Sequence, residues 1–279
     1  MNARLSENPL ILVTGSTDGI GRETARELTR KGARVLVHGR DLERAQAVVE
    51  ELRGLGGSPP EPIVADLSSL AAVRAMAATM AHDCHQPEVI IHNAGVFMKQ
   101  RERSVDGFEM TLAVNHLAPF LLTHLVLEST VGAHLRRVVN VSSMAHNRGR
   151  IDFEDLQLLR ESFNSYASYA TSKLANVLFT VELARRVGHR RITVNALHPG
   201  VTSTKLLTEG FEMEGHDSLA ESAATSVVLA IEPGLREATG GYYVQGKPAA
   251  PHPVAEDRDV ARRFYEVSAE LTGVMPLPA

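Results

Sequence analysis

Short runs rich in β-branched residues recur along the chain, at Leu10 to Thr14, Arg34 to His38, Pro62 to Ala65, Val89 to His92, Arg137 to Val141, Ile192 to Leu197 and Gly241 to Val244. Between them lie segments whose apolar residues fall three and four apart, as in Leu42, Ala45, Val49 and Leu52, the spacing of one buried helix face. Strands that alternate with helices must cross over in the right-handed sense and pair in parallel, which covers both faces of the sheet. The expected fold is therefore α/β: a single doubly wound domain over residues 1–279, with about seven parallel strands and helices on both faces. A chain of 279 residues, 44% hydrophobic and 22% charged, is large enough for one such domain. In sheets of this kind ligands bind beyond the carboxyl ends of the strands, so chemistry is to be sought just after each strand.

The connections are mostly short. Gly54 to Pro62 is rich in Gly and Pro and reads as a helix stop and loop, while Thr202 to Asp217, with Gly210, Gly215 and mixed polarity, reads as a mobile substrate lid. Near the end, Val254 to Leu271 is amphipathic, with Val260, Phe264, Val267 and Leu271 spaced for one buried stripe that packs on the sheet or, in the sharper reading, on another subunit of a homo-oligomer.

Charge and composition exclude several functions. A net charge of −4, with no run of Lys and Arg, gives nucleic acid nothing to bind. Cys84 is the only cysteine, which rules out an intrachain disulfide and fits a reducing compartment. His82, Cys84 and His85 crowd together without a second ligand cluster, so they are expected to end a helix and no metal site is expected. Met1 to Pro9 lacks a hydrophobic signal core, and no segment is expected to reach the roughly 20 apolar residues of a membrane helix, so a soluble, cytoplasmic protein without a membrane partner is anticipated.

After the first strand comes Thr14-Gly15-Ser16-Thr17-Asp18-Gly19-Ile20-Gly21, and a helical pattern then begins at Arg22 and Glu23. Glycines at this turn let a phosphate approach the backbone N–H groups of the helix start, where the macrodipole favours an anion. A plain strand-to-helix turn needs one glycine, and three point to a bound dinucleotide, although the spacing G-x-x-x-G-x-G differs from G-x-G-x-x-G. Further on, Tyr169 and Lys173 lie one helical turn apart on one face. A phenol holds its proton to about pH 10, and a neighbouring cation is expected to lower that value towards the range of a working proton donor. Alone, the pair could equally be a surface contact.

Together these motifs resemble the short-chain dehydrogenase/reductase superfamily, whose glycine motif is TGxxxGxG and whose fold is of the Rossmann type. His92-Asn93-Ala94-Gly95 stands where that family has NNAG, with His in place of the first Asn. Asn115, Ser143, Tyr169 and Lys173 match the catalytic tetrad, and Pro199-Gly200 matches the PG motif at the nicotinamide end. Gly21-Arg22-Glu23-Thr24-Ala25, Asp106-Gly107-Phe108-Glu109, Asn115-His116-Leu117, Ser172-Lys173-Leu174-Ala175-Asn176 and Ser268-Ala269-Glu270-Leu271-Thr272-Gly273 are similar to the retinol-dehydrogenase-like branch. That branch also carries an insertion like Gly149 to Leu156, and the membrane anchor of many of its animal members is not expected here. The resemblance implies that Ser143 rather than Ser142 reacts. Tyr166 is a decoy, because position 170 is Ala and offers no cation.

The resemblance also implies a cofactor site built from Gly15, Ser16, Thr17, Asp18, Gly19, Ile20, Gly21, Arg22, Arg40, Asp66, Leu67, Asn93, Ala94, Gly95, Tyr169, Lys173, Pro199, Gly200 and Thr202. An acid at the end of the second strand would bind a ribose 2′-hydroxyl, whereas this chain has Gly39 and Arg40. A guanidinium holds a 2′-phosphate by charge-assisted hydrogen bonds, with Arg22 as a second cation, so NADP(H) is expected over NAD(H). Arg40 could instead pair with Asp41 or Glu43, and Asp66, the adenine contact by resemblance, could cap the next helix. The expected reaction is hydride transfer between nicotinamide C4 and a lipophilic carbonyl or alcohol, with Tyr169 as acid/base, Ser143 stabilising the oxygen and Asn115 positioning a water next to Lys173. The substrate pocket is expected to be formed by Val96 to Arg103, the insertion after Ser143 and the lid, where Met98, Leu206, Leu207, Phe211 and Met213 could line an apolar cavity or simply pack. The alternatives are an NAD-linked alcohol dehydrogenase and a non-catalytic NADP-binding regulatory or scaffold protein.

Overall fold

Eight strands form one sheet in the order β3-β2-β1-β4-β5-β6-β7-β8. In the computed structural model, residues 4–56, 58–82, 85–129, 133–160 and 162–278 are described. The strands are β1 Leu10–Val13, β2 Arg34–Gly39, β3 Glu61–Val64, β4 Val89–His92, β5 Arg137–Val141, β6 Thr193–His198, β7 Tyr242–Val244 and β8 Lys247–Ala249. β1 to β7 pair in parallel, and the eighth strand, which the sequence does not announce, returns antiparallel on β7 through Gln245-Gly246. The helices are α1 Gly19–Arg30, α2 Leu42–Arg53, α3 Leu70–His82, α4 Met110–Leu112, α5 Ala118–Glu128, α6 Ser165–Val187, α7 Leu219–Ile231 and α8 Arg258–Thr272.

Both faces of the sheet are buried, and the alternation within each strand divides the core. Leu10, Leu12, Leu36 and Ile90 join a cluster with residues of α3, α5, α6 and α8. Ile11, Val13, Val35, Val37 and Ile91 join one with α1, α2 and α7. Burying each side chain of this size stabilises the fold by roughly 1.5–3 kcal/mol. This two-sided burial is why the strands read as continuous apolar runs rather than alternating ones.

Two expectations need correction. The stripe of α8 is turned by one residue from the one expected: Ala261, Phe264, Tyr265, Ser268, Ala269 and Thr272 are buried, while Val260, Val267 and Leu271 are only half-buried at its edge. Tyr265 draws the helix round, because its ring packs on Phe120 and Phe179 and lies under the Arg186 guanidinium. Met110–Glu128, spanning α4, the turn after it and α5, is long and apolar enough to cross a membrane, against the expectation that no segment would be. It is 89% buried, so packing against α3 and the sheet accounts for its apolar character. Cys84 lies outside the described residues. Among those that are described, α3 ends at His82 and no group of His, Cys, Asp and Glu could hold a metal ion.

The strand order reverses between β2 and β4 on either side of β1, and this switch point opens a crevice at the strands' carboxyl ends. The glycine loop leaves β1 and Asn93 to Gly95 leave β4 at that point.

Candidate active site

The glycine loop fits closely between β2 and β4. Gly15 (φ +64°) and Gly19 (φ +53°) lie in the left-handed region. A Cβ on Gly15 would come within 2.9 Å of Ala94 Cα, and one on Gly21 within 2.3 Å of Asn93 Nδ2 and 2.4 Å of the Gly15 carbonyl oxygen. Asn93 Nδ2 donates to the Thr14 carbonyl (2.9 Å), and the N–H groups of Asn93 and Ala94 donate to Thr14 Oγ1 (3.0 and 3.1 Å). Asn93 and Ala94 therefore hold the loop in place. Asp18 caps α1 by accepting from Gly19 N–H at 2.8 Å, and other N–H groups of the first turn, including that of Ile20, have no intrahelical acceptor. This bare, donor-rich cradle suits the diphosphate of a dinucleotide.

Charges around the loop are arranged differently from the expectation. Arg22 does not stand free as a second cation: its Nε donates to Glu51 of α2 at 2.8 Å, and Arg26 binds the same carboxylate. Arg40 is exposed at the end of β2 and joins no ion pair among the described residues, because Asp41 is used in capping α2. Arg44 reaches back from α2 to Asp18 Oδ2 (3.3 Å), an oxygen it shares with Lys205 (3.1 Å). Asp66 Oδ1 accepts from Ser68 N–H at 2.9 Å in a turn ahead of α3, whose first turn is capped instead by Ser69 Oγ accepting from Ala72 N–H at 3.2 Å, and Leu67 is buried. Thr17 packs its methyl group against Gly39.

The four tetrad matches converge on the far side of Ala94 and Gly95. Asn115 lies in a π-helical turn, Ala113–Leu117, between α4 and α5. Such turns interrupt the i−4 ladder and recur at functional sites. Its carboxamide is fully engaged, accepting from Val96 N–H (2.7 Å) and donating to the Val96 carbonyl and Ser172 Oγ (3.0 Å each). The side chain therefore ties the segment after β4 to α6. Ser142 donates to the Lys173 carbonyl at 2.8 Å, and Ser143, two residues beyond the end of β5, caps the next turn by accepting from Ala145 N–H at 3.2 Å.

Tyr169 is 7% exposed and Tyr166, the decoy, 45%. Burial pushes the Tyr169 phenol up to about 12, with the nearby Ser143 hydroxyl drawing it back down. This reverses the sequence expectation that Lys173 lowers it. The Lys173 ammonium is itself buried, donates to the Val141 carbonyl at 3.0 Å and stands 5.5 Å from the centre of the Tyr169 ring. Burial pulls it down to about 8. A Cβ on Gly95 would lie 3.3 Å from Lys173 Nζ, so the glycine lets the segment after β4 close on the lysine.

Residues 202–217 form a loop closed at its base. Val201 N–H donates to Asp217 Oδ2 at 2.6 Å, and Gly200 (φ +117°) leaves room for that carboxylate. Thr202 is buried against the Ser222 hydroxyl. A π-helical turn, Leu206–Gly210, brings Phe211 edge-on to Tyr169, centroids 5.1 Å apart, and Phe97 packs on both rings. Of the expected apolar lining, Phe211 meets the site. Met213 is 54% exposed.

Phe97 falls within Val96 to Arg103, a segment expected to form the substrate pocket, whereas sequence reasoning missed His38 and His146. His146 Nδ1–H donates to the Ser143 carbonyl at 2.6 Å while Nε2 accepts from His252 N–H, which fixes the turn carrying Ser143. Its place three residues after Ser143 was the available signal.

Comparison with known proteins agrees with this geometry. The family described as short chain dehydrogenase matches residues 9–215. Human "Retinol dehydrogenase 13" is 39% identical, the alignment covering 95% of this chain and 84% of that one, and human "Retinol dehydrogenase 11" is 38% identical over 95% and 86%. Among solved structures, an uncharacterised protein from Mycobacterium paratuberculosis superposes with a TM-score of 0.82 at 31% identity, covering 100% and 99% of the two chains. The landomycin C-6 ketoreductase LanV, with bound NADP and rabelomycin, gives 0.66 at 27% over 87% and 97%. The chain belongs to the short-chain dehydrogenase/reductase superfamily, in its retinol-dehydrogenase-like branch. It is an NAD(P)-dependent oxidoreductase acting on CH–OH and C=O groups.

Proposed function

We propose that the protein is an NADP(H)-dependent reductase or dehydrogenase of lipophilic carbonyls and alcohols, with Tyr169 as the acid/base. The observation that carries this reading is the continuous packing from Gly15 through Ala94 and Gly95 to Lys173 and Tyr169, which puts a buried phenol beside the glycine-lined crevice. A nicotinamide bound there supplies or accepts the hydride. In the reductive direction Tyr169 gives its proton to the carbonyl oxygen as charge develops, and Ser143 Oγ, held by the His146-braced turn, donates a hydrogen bond to that same oxygen. Lys173 keeps a positive charge under the phenol and would bind the ribose hydroxyls, while Asn115 acts by positioning Val96 and α6 rather than by touching substrate.

Arg40, exposed at the end of β2 and in no ion pair among the described residues, favours the 2′-phosphate, and the NADP bound in the similar LanV structure is in keeping with it. Residues 202–217 act as a lid, with Phe211 and Phe97 forming an aromatic wall that suits an apolar substrate. A panel of ketones and aldehydes, followed by consumption of NADPH and of NADH, tests the assignment. Turnover of apolar carbonyls with NADPH is expected. Turnover only with NADH would overturn the reading of Arg40.

A further inference from the structure

His38, near the carboxyl end of β2, has no part in the reaction above, yet its imidazole is 2% exposed and bonded to the cofactor loop. Gly15 N–H donates to His38 Nδ1 at 3.1 Å. The backbones are laced as well: Ser16 N–H donates to the His38 carbonyl (2.9 Å), and His38 N–H donates to Ser16 Oγ (2.9 Å). An imidazole that accepts at Nδ1 is neutral and carries its proton on Nε2. That Nε2–H is buried, completes no hydrogen bond and faces the backbone of Ala65, just after β3. The ring thus stands between the first turn of the glycine loop and the segment Ala65 to Leu67. An apolar residue would fill this place in a strand buried on both faces, so packing alone does not explain a histidine.

We propose that His38 is a positioning residue for the dinucleotide: its Nδ1 lone pair fixes the Gly15 N–H, and its ring joins the glycine loop to the Ala65–Leu67 segment. These are the two walls that would receive the adenosine half of the cofactor. With the Gly15 N–H committed to the imidazole, the loop is held at its first turn and the N–H groups at the start of α1 stay directed at the diphosphate. Without that acceptor, Gly15 carries an unsatisfied N–H in a part-buried loop, and the loop relaxes to find another partner. The inference rests on the cofactor reading given above.

The test compares His38→Leu, similar in bulk with no acceptor, with His38→Asn, whose Oδ1 takes the place of Nδ1. Amide hydrogen exchange at Gly15 is measured without cofactor, and dissociation constants are measured for NADPH and for 2′,5′-ADP, a probe of the adenosine half. The leucine variant should exchange Gly15 faster and bind both probes about tenfold more weakly, the scale of one lost hydrogen bond, and asparagine should restore both. Wild-type exchange and affinities in the leucine variant, or equal losses in both variants, would overturn the proposal. If the leucine variant fails to fold, His38→Gln replaces it: its carbonyl reaches the Nε2 side, so it should bind weakly where asparagine does not. Should the wild type bind no NADPH, the cofactor reading falls, while exchange at Gly15 still decides whether His38 holds the loop.

Discussion

Lys173 lies over the face of the Tyr169 ring, 5.5 Å from its centre, and spends a hydrogen bond on the carbonyl of Val141 at the end of β5. The turn-apart spacing does put both side chains in one site, with the ammonium against the ring face. Both groups are buried, and burial disfavours the charged form of each, raising the phenol to about 12 and lowering the amine to about 8.

That burial makes stability depend on pH in a defined direction. Below pH 8 both native and unfolded chains carry the ammonium, and the native state bears its full desolvation cost. From about 8 to 10.5 only the unfolded chain stays protonated at this position, so the lysine's contribution to stability rises with pH and then levels off. Lys173→Met has no such group. Urea midpoints of the two proteins should hold a constant difference below pH 8 and shift in favour of the wild type above it. Parallel curves would mean that the amine is not desolvated.

Phe211 sets part of the Tyr169 burial. In Phe211→Ala the phenol should titrate below the value of about 12, moving towards 10, read as the ultraviolet difference against a Tyr169→Phe control. Exchange across residues 202–217 should also quicken, because the segment loses its aromatic anchor. An unmoved titration would remove the lid from the site.

Gly21→Ala tests the cradle. Its Cβ would meet the Gly15 carbonyl oxygen at 2.4 Å, and a backbone atom cannot step aside cheaply. Overpacking of this kind costs roughly 1–3 kcal/mol, a fall of roughly 2–5 °C in Tm for a chain this size, and NADPH titrations should show weakened binding. An unchanged Tm and affinity would mean that the loop has another conformation.

Arg40→Asp should weaken NADPH by about 10- to 100-fold, the worth of one charge-assisted hydrogen bond, and should favour NADH through the ribose 2′-hydroxyl. Fluorescence titrations with both cofactors measure it. Equal losses for the two would assign Arg40 a structural role.

The strands were legible because burial on both faces makes each a continuous apolar run, and the helices because α1 and α2 expose one side. The eighth strand was not: Lys247–Ala249 contains Pro248 and lies at an edge, where pairing rather than composition defines a strand. The crevice could be located from Gly15, Gly19 and Gly21, since only close backbone approach demands three glycines. Partnerships between distant elements left no trace in local spacing. Glu51 claims Arg22, Val96 and Ser172 occupy Asn115, and His38 accepts from Gly15, all across gaps that motif spacing does not encode.

The proton-donor role of Tyr169 is tested most directly by single turnover of the NADPH-loaded enzyme with an apolar ketone, comparing wild type and Tyr169→Phe by the loss of reduced-nicotinamide absorbance. The variant should bind NADPH like the wild type yet transfer hydride about 10²- to 10⁴-fold more slowly. A variant that reduces the ketone at close to the wild-type rate would contradict the account.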